Sequence, residues 1–234
     1  MLDYELAKQI LVYLILTVPP LLVYIRFWRE RDRGKVLIIA ISIIYIAAAV
    51  YTENLMPFIL VLFNLAYMKG KDEYREYGFS LRGFSILEGI GCAVFSYLIT
   101  IMVALGAMYV MNYFGIRQEE QEVVKWLTDL PLKWFWIAVP VIVLFAPVVE
   151  EFIFRWFFYE RLLKKKIGVI PGALLSSMIF ALVHFNAAAF AMILWIGIYN
   201  CYLIDRKGYW YAVFNHMFFN SITVAVLLMS KMQV

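Results

Sequence analysis

The stretch P-V-V-E-E-F-I-F-R-W-F-F-Y-E-R, residues Pro147 to Arg161, sets two adjacent carboxylates and an arginine inside an apolar run. That run begins near Trp134 and ends at the basic cluster Lys164, Lys165 and Lys166. It is long enough to cross a bilayer, which takes roughly 20 apolar residues. Ionised groups at that depth cost about 2.5–3.5 kcal/mol each on insertion scales. Glu150, Glu151 and Arg155 therefore need partners or a function. The composition around them agrees with a membrane setting: 234 residues, 65% hydrophobic and 16% charged, with mean hydropathy +0.80. A soluble domain carries about 25% charge. No sizeable soluble domain fits between the apolar runs, and no nucleic-acid partner is expected.

Working outward, the apolar runs predict an all-α polytopic membrane protein of eight spans, at about 10–28, 36–51, 55–68, 84–114, 134–163, 171–185, 187–204 and 209–229. Residues 1–234 read as one domain, with spans one to four and an outer loop in 1–133 and the polar helices in 134–229. Pro19 and Pro20 are expected to kink the first span. Its N-terminal flank has no basic region and no small-residue cleavage site, so it reads as a retained span. The loop segment E-E-Q-E-V-V-K-W-L is expected to form a surface helix. Lysine and arginine set the orientation. Eight alternating spans put Arg26, Arg29, Arg31, Arg33, Lys35, Lys69, Lys71, Arg75, Arg82, Arg161, Lys164, Lys165, Lys166, Arg206 and Lys207 on one side, taken as the inside. Lys8, Arg117, Lys125, Lys133 and Lys231 fall outside, with both termini. The basic inner loops serve topology first and contact with anionic lipid second.

Three spans carry polar groups at helical spacing. They are Glu150, Glu151 and Arg155; then Phe180 and His184 in F-A-L-V-H; then Asn215, His216 and Asn220 in N-H-M-F-F-N. Residues four apart share a helix face, so Glu151 can pair with Arg155, and His216 points with Asn220. The chain's two histidines both lie in this set. A carboxylate, two imidazoles, an amide and a guanidinium in a dry pocket suit water activation: a glutamate takes the proton, a histidine assists, and the water attacks a carbonyl. A second histidine and an asparagine supply donors to the oxyanion. Glu150, His184 and His216 also make an alternative zinc ligand set, since catalytic zinc often takes three protein ligands. The zinc-protease sequence H-E-x-x-H and the G-x-S-x-G elbow are absent. Ser177 lies seven residues before His184, about 10 Å along the axis, too far for a direct bond. Asp205 is the only aspartate after Asp129, which argues against an aspartyl dyad.

E-E-F-I-F-R at Glu150 to Arg155, F-A-L-V-H at Phe180 to His184 and H-M-F-F-N at His216 to Asn220, in that order, resemble the CAAX protease and bacteriocin-processing (CPBP, or ABI) family. These are intramembrane proteases with a core of eight helices. The resemblance covers about Trp134 to Met229, and the first half is similar only in hydropathy and span count. It implies Glu150 as the base that activates water, His184 as a group positioning that water, and His216 with Asn220 as the oxyanion site. Glu151 and Arg155 become a supporting pair, and Phe180 shapes the pocket. The constellation resembles a glutamate-type protease that needs no metal. Implied substrates are membrane-associated or lipidated proteins and peptides: prenylated proteins, bacteriocin or pheromone precursors, or proteins with C-terminal sorting signals. The short chain leads us to expect a prokaryotic cell membrane, with the site opening to the cytoplasmic side. Two other classes also account for intramembrane carboxylates: a non-catalytic immunity or regulatory protein, and a proton-coupled carrier.

Other residues carry plainer expectations. Cys92 and Cys201 read as buried thiols rather than a disulfide. Glu88 reads as a solvated residue at the mouth of span four. Asn186 and Asn200 read as helix-end or interhelical hydrogen bonders. W-F-F-Y at Trp156 to Tyr159 reads as an interfacial belt, and Asp205 to Gly208 as a short turn.

Overall fold

The computed structural model describes residues 3–29, 34–52, 54–69, 71–116 and 120–232. Arg31, Arg33 and Arg117 of the charge assignment lie outside the described residues. The described residues form helices joined by turns and loops, with no strand among them. Helix α1 is Tyr4–Arg29, α2 is Lys35–Thr52, α3 is Leu55–Met68, and α4 is the short Asp72–Glu76. Helix α5 is Ile86–Tyr113 and α6 is Glu122–Asp129. The long Leu132–Ile167 is α7. Helices α8 (Val169–Leu182), α9 (Ala187–Arg206) and α10 (Tyr209–Met232) complete the chain.

Six helices, α1, α2, α5, α7, α9 and α10, are long and apolar enough to cross a membrane. The remaining expected spans are α3 and α8, apolar but only 14 residues each. At about 1.5 Å per residue each measures roughly 21 Å, short of a hydrocarbon core of about 30 Å. Both are cut by local turns: Asn54 precedes α3, and a turn at 183–185 ends α8. Helix α1 runs unbroken through Pro19 and Pro20. Its polar neighbours brace that region, with Asn64 Nδ2 donating to the Pro20 carbonyl at 2.9 Å and Tyr45 Oη to that of Thr17 at 3.1 Å.

Helix α7 is the axis. On one side it meets α1 and α3, with α2 packed on that pair; on the other it meets α8, α9 and α10, with α5 packed on the last two. The core gathers around its middle: Val148, Val149, Phe152, Ile153, Phe154 and Trp156 are all at most 1% exposed. Two segments of α7, Val141–Phe145 and Phe152–Leu163, run in π register. Their closing bonds show it: Ala146 N–H reaches the Val141 carbonyl, and Lys164 N–H reaches that of Tyr159, five residues back. Side chains help satisfy this displaced backbone, as where Ser176 Oγ donates to the Phe154 carbonyl at 2.6 Å. Helix α9 approaches α8 closely because residue 197 is glycine; a Cβ there would lie 2.8 Å from Ser177 Cβ.

In the W-F-F-Y tetrad, Trp156 and Tyr159 are core rather than belt, while Phe157 and Phe158 are half-buried at its edge. Trp156 is fully buried and Tyr159 nearly so. The loop between α4 and α5 covers Trp156: Phe79 packs edge-on against it at 5.5 Å and against Tyr209 at 5.0 Å. That loop is pinned to the start of α10 by Tyr209 N–H donating to the Tyr77 carbonyl at 2.9 Å and Trp210 Nε1 donating to that of Phe79 at 2.7 Å. Gly78 and Gly208, at φ +62 and +102, meet there backbone to backbone. Glu88 is exposed as expected, and it also pairs with Lys207 and accepts from Tyr211 Oη at 2.6 Å. Asp205 lies in the last turn of α9, not in a loop, and accepts from Tyr159 Oη at 2.7 Å and from Lys164. Both cysteines are free thiols. Helix α6 is the expected surface helix, tied at one end by Glu122 to Lys8 of α1. At the other end Lys231 of α10 donates to the Thr128 and Leu130 carbonyls at 2.6 and 2.7 Å.

Candidate active site

Three elements bring the polar residues together. The α-helical turn Ala146–Glu151, between the two π segments, carries Glu150 and Glu151. The end of α8 carries Phe180, with His184 in the turn that follows. The first half of α10 carries His216 and Asn220.

Glu151 and Arg155 pair along α7 as their spacing requires, Nε to Oε2 at 3.0 Å, and both are 0% exposed. The contact is an ion pair off the hydrogen-bond direction, and Nη1 and Nη2 have no hydrogen-bond partner among the described residues. The guanidinium instead lies on the Phe180 ring, with Cζ 4.1 Å from its centroid. A desolvated cation over an aromatic face gains about 2 kcal/mol, which explains a phenylalanine here on physical grounds. The same ring takes both histidines at its edge, His184 at 4.8 Å and His216 at 5.8 Å between centroids, each inclined at 79°.

The hydrogen bonds fix the histidine tautomers. His184 Nδ1 lies 2.7 Å from the Phe180 carbonyl. A carbonyl only accepts, so Nδ1 carries the proton and Nε2 is left with its lone pair. His216 Nδ1 lies 2.8 Å from Glu151 Oε1, so Nδ1–H donates to that carboxylate. His216 Nε2 then faces Glu150 Oε2 across 3.8 Å. That gap exceeds a direct hydrogen bond and suits a group held between the two. The side chain of Glu150 is 17% exposed, against 0% for Glu151. Two neighbouring carboxylates thus have opposite surroundings: one neutralised and sealed, the other open.

Asn220 faces α7 with His216, as their spacing predicts, but its Nδ2 donates to the Ile142 carbonyl at 2.8 Å. Asn215 turns away from the site and donates to Asn200 Oδ1 at 2.7 Å, joining α10 to α9. Asn200 is thus interhelical, and Asn186 caps α9 by accepting from Ala189 N–H at 2.7 Å. Among the described residues no three His, Cys, Asp or Glu groups gather in a way that could hold a metal ion. Both Nδ1 atoms are engaged, so anything bound by either histidine would meet its Nε2.

Sequence reasoning missed Tyr209, whose Oη donates to the Val148 carbonyl at 2.5 Å, two residues before Glu150. It also missed Ser176 and the meaning of Pro147. The only available signals were polar atoms in apolar helices, and those do not name their partners.

No curated protein and no solved structure matches the chain. Residues 132–222, the helices that carry every group described above, match the family model described as Type II CAAX prenyl endopeptidase Rce1-like. Over that segment, α7 to most of α10, this integral membrane chain is similar to the type II CAAX prenyl endopeptidases.

Proposed function

We propose that this protein is an intramembrane endopeptidase that hydrolyses a peptide bond next to a lipidated cysteine, using water activated by Glu150. The observation that carries this reading is the asymmetry of the two glutamates. Glu151 is sealed against Arg155 and His216, while Glu150 is open and faces His216 Nε2 across 3.8 Å. Glu150 removes a proton from the water, and the Nε2 lone pair of His184 orients it. The water oxygen bonds to the scissile carbonyl carbon, and the carbonyl π pair moves to its oxygen. An Nε2–H on His216 and the second amide hydrogen of Asn220 stabilise that oxyanion. Collapse breaks the C–N bond, and the proton held on Glu150 passes to the leaving nitrogen. Glu151, fixed by Arg155, supports a protonated His216. No step requires a metal. The family's description as prenyl endopeptidases favours a prenylated cysteine, and the protein's own lipid setting suits such a substrate. We further propose eight membrane passes, with α3 and α8 crossing a locally thinned or protein-lined region. The site then opens toward the basic, cytoplasmic side, His216 being about 10 Å from the inner end of α10.

The test uses purified protein in proteoliposomes and an internally quenched peptide bearing a farnesylated cysteine followed by three residues. Wild type is expected to cleave after the cysteine, and Glu150→Gln to lower kcat by about 10²–10⁴-fold. Turnover of Glu150→Gln within tenfold of wild type would show that another group is the base.

A further inference from the structure

We infer that Asn220 is a positioning residue: it supplies α7 with the hydrogen-bond donor that Pro147 lacks, and so fixes the turn that carries Glu150. The inference deepens the hydrolase reading and rests on it for its kinetic readout alone.

The register of α7 makes the case. In Val141–Phe145 the bonds run five residues back, and Ala146 N–H closes on the Val141 carbonyl. The next donor in that series is the N–H of residue 147, and its acceptor is the carbonyl of Ile142. Residue 147 is proline, which has no N–H. In hydrocarbon no water replaces a missing backbone donor. Asn220 reaches across from α10 and donates Nδ2 to the Ile142 carbonyl at 2.8 Å. The bond therefore falls on the carbonyl that the proline leaves without its π partner.

Its place gives it leverage over the chemistry. Glu150 follows Pro147 by three residues on the same α-helical turn. Helices α7 and α10 are joined a second time where His216 Nδ1 donates to Glu151 at 2.8 Å. A third link, Tyr209 Oη to the Val148 carbonyl at 2.5 Å, lies with the Glu151 bond on the C-terminal side of Pro147; of the three, the bond at Ile142 alone holds α7 on the N-terminal side, so it fixes how the turn enters the site. That entry decides whether Glu150 Oε2 stands 3.8 Å from His216 Nε2 or swings aside. An oxyanion role uses the other amide hydrogen, so the two roles are compatible but separable.

The separation is experimental. Asn220→Leu keeps the volume and removes the donor. Pro147→Ala restores an N–H that can reach Ile142 without Asn220. Melting temperature, kcat and KM on the farnesylated peptide are measured for wild type, both single variants and the double variant. Asn220→Leu is expected to lower Tm by about 2–8 °C and kcat by about 10–100-fold, with KM within about twofold. Adding Pro147→Ala is expected to recover at least half of the Tm loss and to raise kcat at least threefold above Asn220→Leu alone. A double variant no better than Asn220→Leu overturns the inference, and so does recovery of Tm without any gain in kcat. Amide hydrogen exchange at 146–151 gives an answer that does not need the proline variant: it is expected to quicken in Asn220→Leu, and unchanged exchange overturns the link. Should wild type fail to cleave the peptide, the hydrolase reading falls, while Tm and exchange still decide whether Asn220 serves Pro147.

Discussion

Arg155→Met is the sharpest perturbation of the core. The guanidinium and its partner Glu151 are both 0% exposed, at 3.0 Å. Methionine keeps the length and the apolar stem but strands the carboxylate, whose remaining hydrogen-bond partner among the described residues is His216 Nδ1 at 2.8 Å. Removing one member of a buried pair costs about 3–5 kcal/mol. The lost contact with Phe180, at 4.1 Å, belongs to the same change. For a chain of this size each kcal/mol moves Tm by roughly 2–4 °C, so the expected fall is about 6–20 °C. Thermal unfolding in detergent, followed by tryptophan fluorescence, measures it. Glu151→Gln combined with Arg155→Met removes both charges and is expected to recover at least half of the loss, since stripping both members of a buried pair is often neutral. Arg155→Lys is expected to fall between, because a compact ammonium cannot lie flat on the ring. A melting point for Arg155→Met within about 2 °C of wild type would refute the reasoning. So would a double variant less stable than the single one, because the cost then could not come from an abandoned carboxylate.

Two further substitutions test the packing. Gly197→Ala places a Cβ 2.8 Å from Ser177 Cβ, and overpacking of this kind costs about 1–3 kcal/mol. Ser177→Gly in the same chain is expected to return most of that stability, which thermal unfolding reads directly. Gly208→Ala meets the Gly78 backbone at 2.9 Å and takes a φ of +102 that side chains rarely adopt. It is expected to cost about 1–3 kcal/mol and to speed proteolysis between residues 71 and 85. An unchanged cleavage rate would mean that the loop between α4 and α5 is held elsewhere.

The site was legible in the sequence where covalent spacing decides contact. Glu151 and Arg155 are four apart on one helix, and they pair. His216 and Asn220 are four apart, and both turn to α7. The helices themselves were legible from apolar length, and the surface helix α6 from its alternation of charge and bulk. Register was not. A π segment shifts side chains around the axis relative to a 3.6-residue repeat, so the faces of α7 below Phe152 cannot be counted from an ideal helix. Trp156 and Tyr159 were misread for a second reason. Whether Trp156 faces headgroups or protein depends on Phe79, far away in sequence, and no local pattern records that contact. The thickness of the crossing was equally hidden: α3 and α8 are apolar enough for spans, and only the turns that end them make them short.

Phe185 is the one non-glycine residue with positive φ among the described residues, at +48, and it directly follows His184. Side chains in that conformation cost roughly 1–2 kcal/mol, and the ring lies 5.7 Å from the Lys8 ammonium. The amino-terminal helix therefore abuts the hinge that aims the imidazole. A fragment trimmed to residues 132–222 would retain every group of the candidate site, yet lose the α1 lysine that rests on the ring beside His184.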